Sequence, residues 1–383
     1  MAFKQGDAMQ LFKRLIAAMV ISMIIPGLSI QGKELSKEVF LKNYFKTLFK
    51  TDEVIAFPIM IRVSGSSVYL ADIKQCKINR FNKDGKLLMS FGSQGSGPKE
   101  FDDIRDLAIV DNSIYVTCMS KISIFTRDGK FIKEIRSNMA DTYLSFIPAK
   151  DCFIGMRRDF KGFEKGIDSY IFGILTPGLK KTKDIVKIDF KRTPNFGGKK
   201  ENWLMFHNCR KGVVYKDRLY VGCTDKGFYI GVYDIRTGKM QYEIDKEYDK
   251  IPITSVLKDR VMTSLKSMHG EEGYKKILNT RNIIFPDYLP AFVNFFIEND
   301  KIYIFEFPKP GSQGMSDVLI LDMKGNLLKR SKFLVGSLFF SLESPKSHSF
   351  NESKVYFVFP DQKEDDIIDV FYIDIAGIVR DGY

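Results

Sequence analysis

Six side chains carry most of the recognisable chemistry in this sequence. Arg157 and Arg158 form a cationic pair in "GMRRDF", suited to an anionic group. Trp203, the single tryptophan, stands in "FGGKKENWLMFHNCR" with His207 and Arg210 close by. An indole can stack on a ligand while its neighbours supply hydrogen bonds, or simply cover a core edge. Glu306 ends the apolar run "KIYIFE". These six are the ligand-binding candidates, and no catalytic residue is assigned.

Other chemistries lack their motifs. The three histidines, His207, His269 and His348, show no i,i+4 spacing, and a zinc site needs three or four convergent ligands. There is no GxSxG nucleophile elbow. The acidic stretch "DQKEDDIID", Asp361 to Asp369, lacks the Asp-x-Asp-x-Asp-Gly order of an EF-hand loop. No cofactor is therefore expected. An axial calcium or zinc ion is the alternative, and Asp106, Asn294 and Glu343 are the residues that keep it open.

The run "GSQGSGPKEF", Gly92 to Phe101, invites a phosphate-loop reading. A Walker loop needs Gly-Lys-Ser/Thr leading straight into a helix, and a Rossmann loop needs GxGxxG. Neither order is present, and no helical period follows. The glycines are expected to turn the chain.

These residues need a scaffold, and the sequence points to strands. It contains 33 Phe and 17 Tyr among 383 residues, a bias towards sheet. One phrase recurs six times: "SVYLAD" at Tyr69, "SIYVTC" at Tyr115, "DCFIGM" at Phe153, "RLYVGC" at Tyr220, "KIYIFE" at Tyr303 and "KVYFVF" at Tyr356. A second strand-like run follows each, usually ending in Asp-Gly, Thr-Gly or Lys-Gly, turns that suit hairpins. With a run before and another after, each unit has four strands. The expected fold is all-β, a six-bladed β-propeller of four-stranded antiparallel blades. "SVLKDRVMTSLKSMHGEEGYKKILNTR" breaks the pattern, with Leu257, Val261, Leu265 and Met268 on one helical face. It predicts a small helical insert, about residues 252–283, between blades four and five.

The N-terminus reads as an export signal. Lys13 and Arg14 precede the apolar run "LIAAMVISMIIPGLSI", and small or polar residues follow. Residues 1–31 are assigned as a signal peptide, 32–51 as an N-terminal lead-in and 52–383 as the propeller. The location is periplasmic or secreted, with no membrane span after signal cleavage. No cysteine follows the apolar run, so the bacterial lipid-anchor pattern is absent. The five cysteines form no CxxC pair and are expected as buried thiols. The net charge of +12 is scattered along the chain, and export argues against nucleic acid as partner.

The segment "GSQGSGPKEFDDIRDLAIVDNSIYVTCMSKISIFTRDGKFIKEI" resembles an NHL-type propeller repeat, with its Gly-x-Gly-Pro-Gly-Glu-Phe crossover followed by "IYVaD", "rI.vF" and "dGkfl". Lys99 stands at a usual Gly and Cys118 at a usual Asp. The whole chain is similar to six-bladed propellers exported by bacteria. The resemblance implies that the first strand of each blade lies nearest the axis.

Alternating strand direction puts connections of one parity on one face. The first-to-second and third-to-fourth turns are short. The other set holds Gly92–Asp103, Arg157–Asp168, Asp189–His207, the helical insert, Phe307–Asp317 and Pro360–Asp369. That long-loop face is where binding groups are expected. The function expected is a binding or scaffold module for a protein, peptide or glycan. A metal-dependent lyase or lactonase-type hydrolase with an axial site is the alternative. Blade six lacks a fourth strand, and residues near Asp52 to Phe57 are expected to supply it.

Overall fold

The computed structural model describes residues 29–30, 33–34, 46–51, 58–136, 143–159, 161, 167–191, 200–206, 208–309, 315–334, 348–351, 354–360 and 368–374. Almost all of the expected signal peptide lies outside them. A minimal hairpin, β1 (Ser29–Ile30) with β2 (Lys33–Glu34), is followed by β3 (Lys46–Thr51).

Six four-stranded antiparallel sheets form the body, so the protein is an all-β, six-bladed propeller. Blade one is β4 (Pro58–Ser64), β5 (Ser67–Asp72), β6 (Lys77–Asn82) and β7 (Leu87–Phe91). Blade two is β8 (Ile104–Val110), β9 (Ser113–Cys118), β10 (Lys121–Thr126) and β11 (Phe131–Arg136). Blade three is β12 (Tyr143–Pro148), β13 (Phe153–Asp159), β14 (Ile167–Leu175) and β15 (Lys181–Lys191). Next comes β16 (Glu201–Leu204), which belongs to no blade. Blade four is β17 (Arg210–Tyr215), β18 (Arg218–Cys223), β19 (Phe228–Asp234) and β20 (Met240–Lys246). Helix α1 (Ser255–Thr280) and β21 (Arg281–Ile284) intervene before blade five, which is β22 (Asn294–Glu298), β23 (Lys301–Phe305), β24 (Met315–Asp322) and β25 (Leu327–Leu334). Blade six is β26 (His348–Asn351), β27 (Lys354–Pro360), β28 (Ile368–Asp374) and, from the other end of the chain, β3. The first strands β26, β4, β8, β12, β17 and β22 touch in succession around the axis.

The recurring aromatic position explains much of the packing. Tyr69, Tyr220 and Tyr356 are almost wholly buried, and the Tyr115 ring lies 4.9 Å from that of Phe153, across the boundary between blades two and three. A fully buried side chain of this size contributes roughly 2–3 kcal/mol of transfer free energy.

Ring closure corrects the sequence-based expectation. The fourth strand of blade six is Lys46–Thr51, not Asp52–Phe57, which lies outside the described residues and inside the span assigned to the propeller. Thr51 pairs with Ile368 and Lys46 with Tyr372. The closing strand, KTLFKT, has no polar–apolar alternation; its centre is the apolar pair Leu48-Phe49, with Phe49 buried 5.6 Å from the Phe81 ring of blade one. That contact fixes its register.

The glycine run is the connection from β7 to β8, and its amide groups are used internally. Gly97 N–H donates to the Glu100 carboxylate at 2.8 Å, Gly95 N–H to the Phe101 carbonyl, and Phe101 N–H to the Ser93 carbonyl. A Cβ on Gly95 would sit 2.1 Å from Glu100 Oε2, so the carboxylate fills the space a phosphate would need. Lys121, buried, closes the loop from below through the Ser96 and Gly97 carbonyls and Glu134. Lys99 holds φ 68°, the left-handed conformation that favours the glycine of the NHL pattern.

The cysteines are free; Cys76, Cys118, Cys209 and Cys223 are buried and Cys152 is half-buried. Burial pushes the Cys118 and Cys209 thiols up to about 12.

Candidate functional site on the long-loop face

Connection lengths divide as the alternating strand directions require. Every described short turn, first-to-second or third-to-fourth strand, spans two to five residues. The extended connections leave from the opposite face.

Two of those connections combine. Segment 200–206, between blades three and four, runs parallel to β21, pairing Trp203 with Ile283 and Leu204 with Ile284. The stalk of the second connection is closed by Leu289 N–H to the Ile251 carbonyl and Ile253 N–H to the Asp287 carbonyl. Between them lies α1, capped by the Thr254 hydroxyl accepting from Leu257 N–H and broken at Gly270, where φ is 67°. Three residues of the expected apolar stripe pack inward, and the side chain of the fourth, Met268, lies outside those described. Val261 and Leu265 are buried against Met205, Trp203 and Ile283, while Leu257 packs on the blade-five core. The result is a lobe standing on the long-loop face.

The five candidate residues that are described do not converge. Arg157 reaches Asp184 within its own blade at 3.0 Å. Arg158 makes a two-pronged ion pair with Asp168, which raises its already high pKa. Trp203 belongs to the lobe, with the Arg281 guanidinium 4.8 Å from its ring centre. Arg210 binds Asp225 through two nitrogens, at 2.6 and 2.7 Å, and lies 3.5 Å from the Phe190 ring of blade three. His207 lies outside the described residues, as do Glu343 and 361–367.

Glu306 differs. It follows β23 and lines a cavity of about 230 Å³ between blades four and five, rimmed by the Glu247–Asp249 and Phe307–Lys309 stretches of the long-loop face. Phe228, Ala291, Phe307 and Leu319 make its walls apolar. The Oε2 atom of Glu306 is buried with no hydrogen-bond donor. Arg330 Nη1 is 3.6 Å away, but that nitrogen is directed to Asp317, 2.7 Å distant. Burial raises the Glu306 carboxyl pKa, with Asp317 adding to the shift and Arg330 opposing it. Lys309 pairs with Asp249 at the rim, 3.1 Å apart.

A second polar group lies at the long-loop end of the central channel, where five blades contribute. Arg62 donates to the Leu107 carbonyl and pairs with Asp106, both at 2.8 Å. Asp106 also accepts Leu107 N–H and, from blade three, Phe146 N–H. Lys211 donates to Asn294 Oδ1 at 2.9 Å and to the Phe295 carbonyl at 3.1 Å, with its ammonium 4.0 Å from the Phe296 ring centre. Burial pushes the Lys211 amine down to about 8, Arg62 adding to the effect and Cys209 opposing it. These bonds join blade one to two, two to three and four to five.

Sequence reading found Asp106 and Asn294 but not Arg62, Lys211 or Arg330. The signal available was a cation inside an apolar first strand, "PIMIRVS" and "RKGVVY". Among the described residues, no cluster of three or more His, Cys, Asp or Glu has metal-binding geometry. No described helix is long and apolar enough to cross a membrane.

Residues 40–160 match the family model DUF5128, described as a 6-bladed beta-propeller. Solved structures similar in fold include a Bacteroides fragilis protein described as exported, at 12% identity, covering 86% of this chain and 93% of that one, with TM-score 0.45. The Neurospora crassa Pan2 WD40 domain matches at 7% identity, covering 86% and 95%, with TM-score 0.44. A streptogramin B lyase matches at 12% identity, covering 82% and 80%, with TM-score 0.39. No curated protein matches the chain.

Proposed function

We propose that the protein is an exported binding module that holds a protein, peptide or glycan on its long-loop face. The observation that carries this reading is the lobe. Two connections about 80 residues apart in sequence, paired at Trp203–Ile283, build one raised surface on that face. A rigid ring with long, mutually supported loops on one rim is a binding architecture. The Glu306 cavity at the boundary of blades four and five gives that face a concave element with an unmatched acceptor.

The balance between binding and an axial lyase or hydrolase rests on what the channel residues do. Arg62, Asp106, Lys211 and Asn294 bond one blade to the next, which favours a structural use of the channel end. Export rests on the basic-then-apolar N-terminus.

The test is binding to arrays of glycans and peptides, comparing the full chain with Trp203→Ala and with Glu306→Gln/Arg330→Met. Ligands retained by the parent and lost by these variants, with circular dichroism unchanged, support the reading. Retention of every ligand by both variants overturns it.

A further inference from the structure

The positive charge that looks scattered along the sequence is gathered by the fold. In the described turns of the short-turn face, ten Lys and Arg residues stand against six Asp. Most of the lysines are exposed, including Lys86, Lys130, Lys239 and Lys324, which sit in the turns that begin the outermost strands. Between blades three and four, a cleft of about 680 Å³ on this face brings Lys150, Lys183, Lys216 and Arg236 together with three aspartates.

Apolar side chains accompany the charge. Leu88, Ile132, Met240, Leu327 and Leu328 are all exposed. Each is the first or second residue of an outermost strand, in blades one, two, four and five. At about 3.4 Å per residue, all five lie within roughly 7 Å of the short-turn rim. The second residue of the outermost strand is exposed and apolar in blades one, two and five, and the first in blades four and five, so four blades carry aliphatic side chains at the same rim as the lysines.

The chain also enters the propeller here. β3 runs from Lys46, paired with Tyr372 near the short-turn end of β28, to Thr51, paired with Ile368 at the long-loop end.

We propose that the short-turn face docks on an anionic lipid bilayer, leaving the long-loop face directed away from it. Lysines beside exposed Leu and Ile suit a surface that is negative outside and apolar beneath, since cations meet headgroup phosphates while aliphatic side chains enter the boundary region. A nucleic acid would use the charge and leave the aliphatic ring unmatched. This inference does not depend on what the long-loop face binds.

The test is flotation of the full chain with vesicles of phosphatidylcholine alone and of phosphatidylcholine with phosphatidylglycerol. The parent is expected to prefer the anionic vesicles, with retention falling as salt rises. The Lys86→Glu/Lys130→Glu/Lys239→Glu variant should lose that preference by at least about a hundredfold in partition coefficient, from roughly 1 kcal/mol per lysine near the surface. Leu88→Ser/Ile132→Ser should weaken retention on the same vesicles. The control is Lys258→Glu/Lys275→Glu/Lys276→Glu on the lobe. Equal retention on both vesicle types overturns the proposal, as does an equal loss in the control, or a salt-insensitive dimer through this face seen by sedimentation. If the short-turn variant does not fold, the salt dependence of the parent on the two vesicle types decides the matter alone.

Discussion

The channel cluster and the Glu306 cavity are both polar groups buried among apolar strands, yet they are finished differently. At the channel, Asp106 receives a guanidinium and two backbone amides, and Lys211 donates to two oxygens. In the cavity, a buried carboxylate oxygen has no donor while an arginine nitrogen 3.6 Å away is turned to another acid. A polar group that serves the fold is normally satisfied by the fold, because leaving it unmatched costs about 1–3 kcal/mol. Under the proposed function Glu306 is the acceptor that an incoming hydroxyl or amine donor would meet, whereas the channel residues bond one blade to the next.

Substitutions should separate the two. The largest effect is expected for Arg62→Met, which leaves Asp106 buried without its cation. Destabilisation of about 3 kcal/mol, read from the urea midpoint, follows from breaking a buried ion pair. Loss of less than about 1 kcal/mol would break the comparison at the channel.

The next effect is a pH dependence from Lys211. Its folded pKa, about 8, lies below the ordinary lysine value of 10.5, so between these values the unfolded chain binds more protons. Stability should carry a penalty below pH 8 that is relieved as pH rises towards 10.5. Thermal unfolding across that window should show a rising contribution absent from Lys211→Met.

The smallest effect is expected at Glu306, where the sign is reversed. Its folded pKa is raised, so the folded state holds the proton longer and stability falls as pH climbs through the folded value. Glu306→Gln should flatten that fall and raise the melting temperature at neutral pH by up to about 3 °C, while altering ligand binding. A clear fall in stability instead would place Glu306 with the channel residues.

How far this was legible in the sequence depends on the range of each interaction. The repeated phrase at Tyr69, Tyr115, Phe153, Tyr220, Tyr303 and Tyr356 gave the second strand of all six blades, because a short apolar run followed by a glycine turn is a local signal. The amphipathic stripe of α1 was equally local. The strand that closes blade six was placed one segment late, since its partner lies at the far end of the chain and only Phe49 marks its buried centre. The lobe was invisible for the same reason: β16 and β21 meet across about 80 residues, and neither has a strand pattern of its own. Arg157, Arg158 and Arg210 carry no sign in the sequence that Asp184, Asp168 and Asp225 pair with them. Glu306 stood out only as an acid after an apolar strand. The unbonded oxygen that distinguishes it is a property of the assembled cavity.

Closure by β3 and β28 has a temporal meaning. Lys46–Thr51 leaves the ribosome about 320 residues before the strand it pairs with, Ile368–Asp374. At about 5–20 residues per second, that interval is some tens of seconds. Throughout it the ring stays open, and any passage that requires an unlocked polypeptide has until the final hairpin is made.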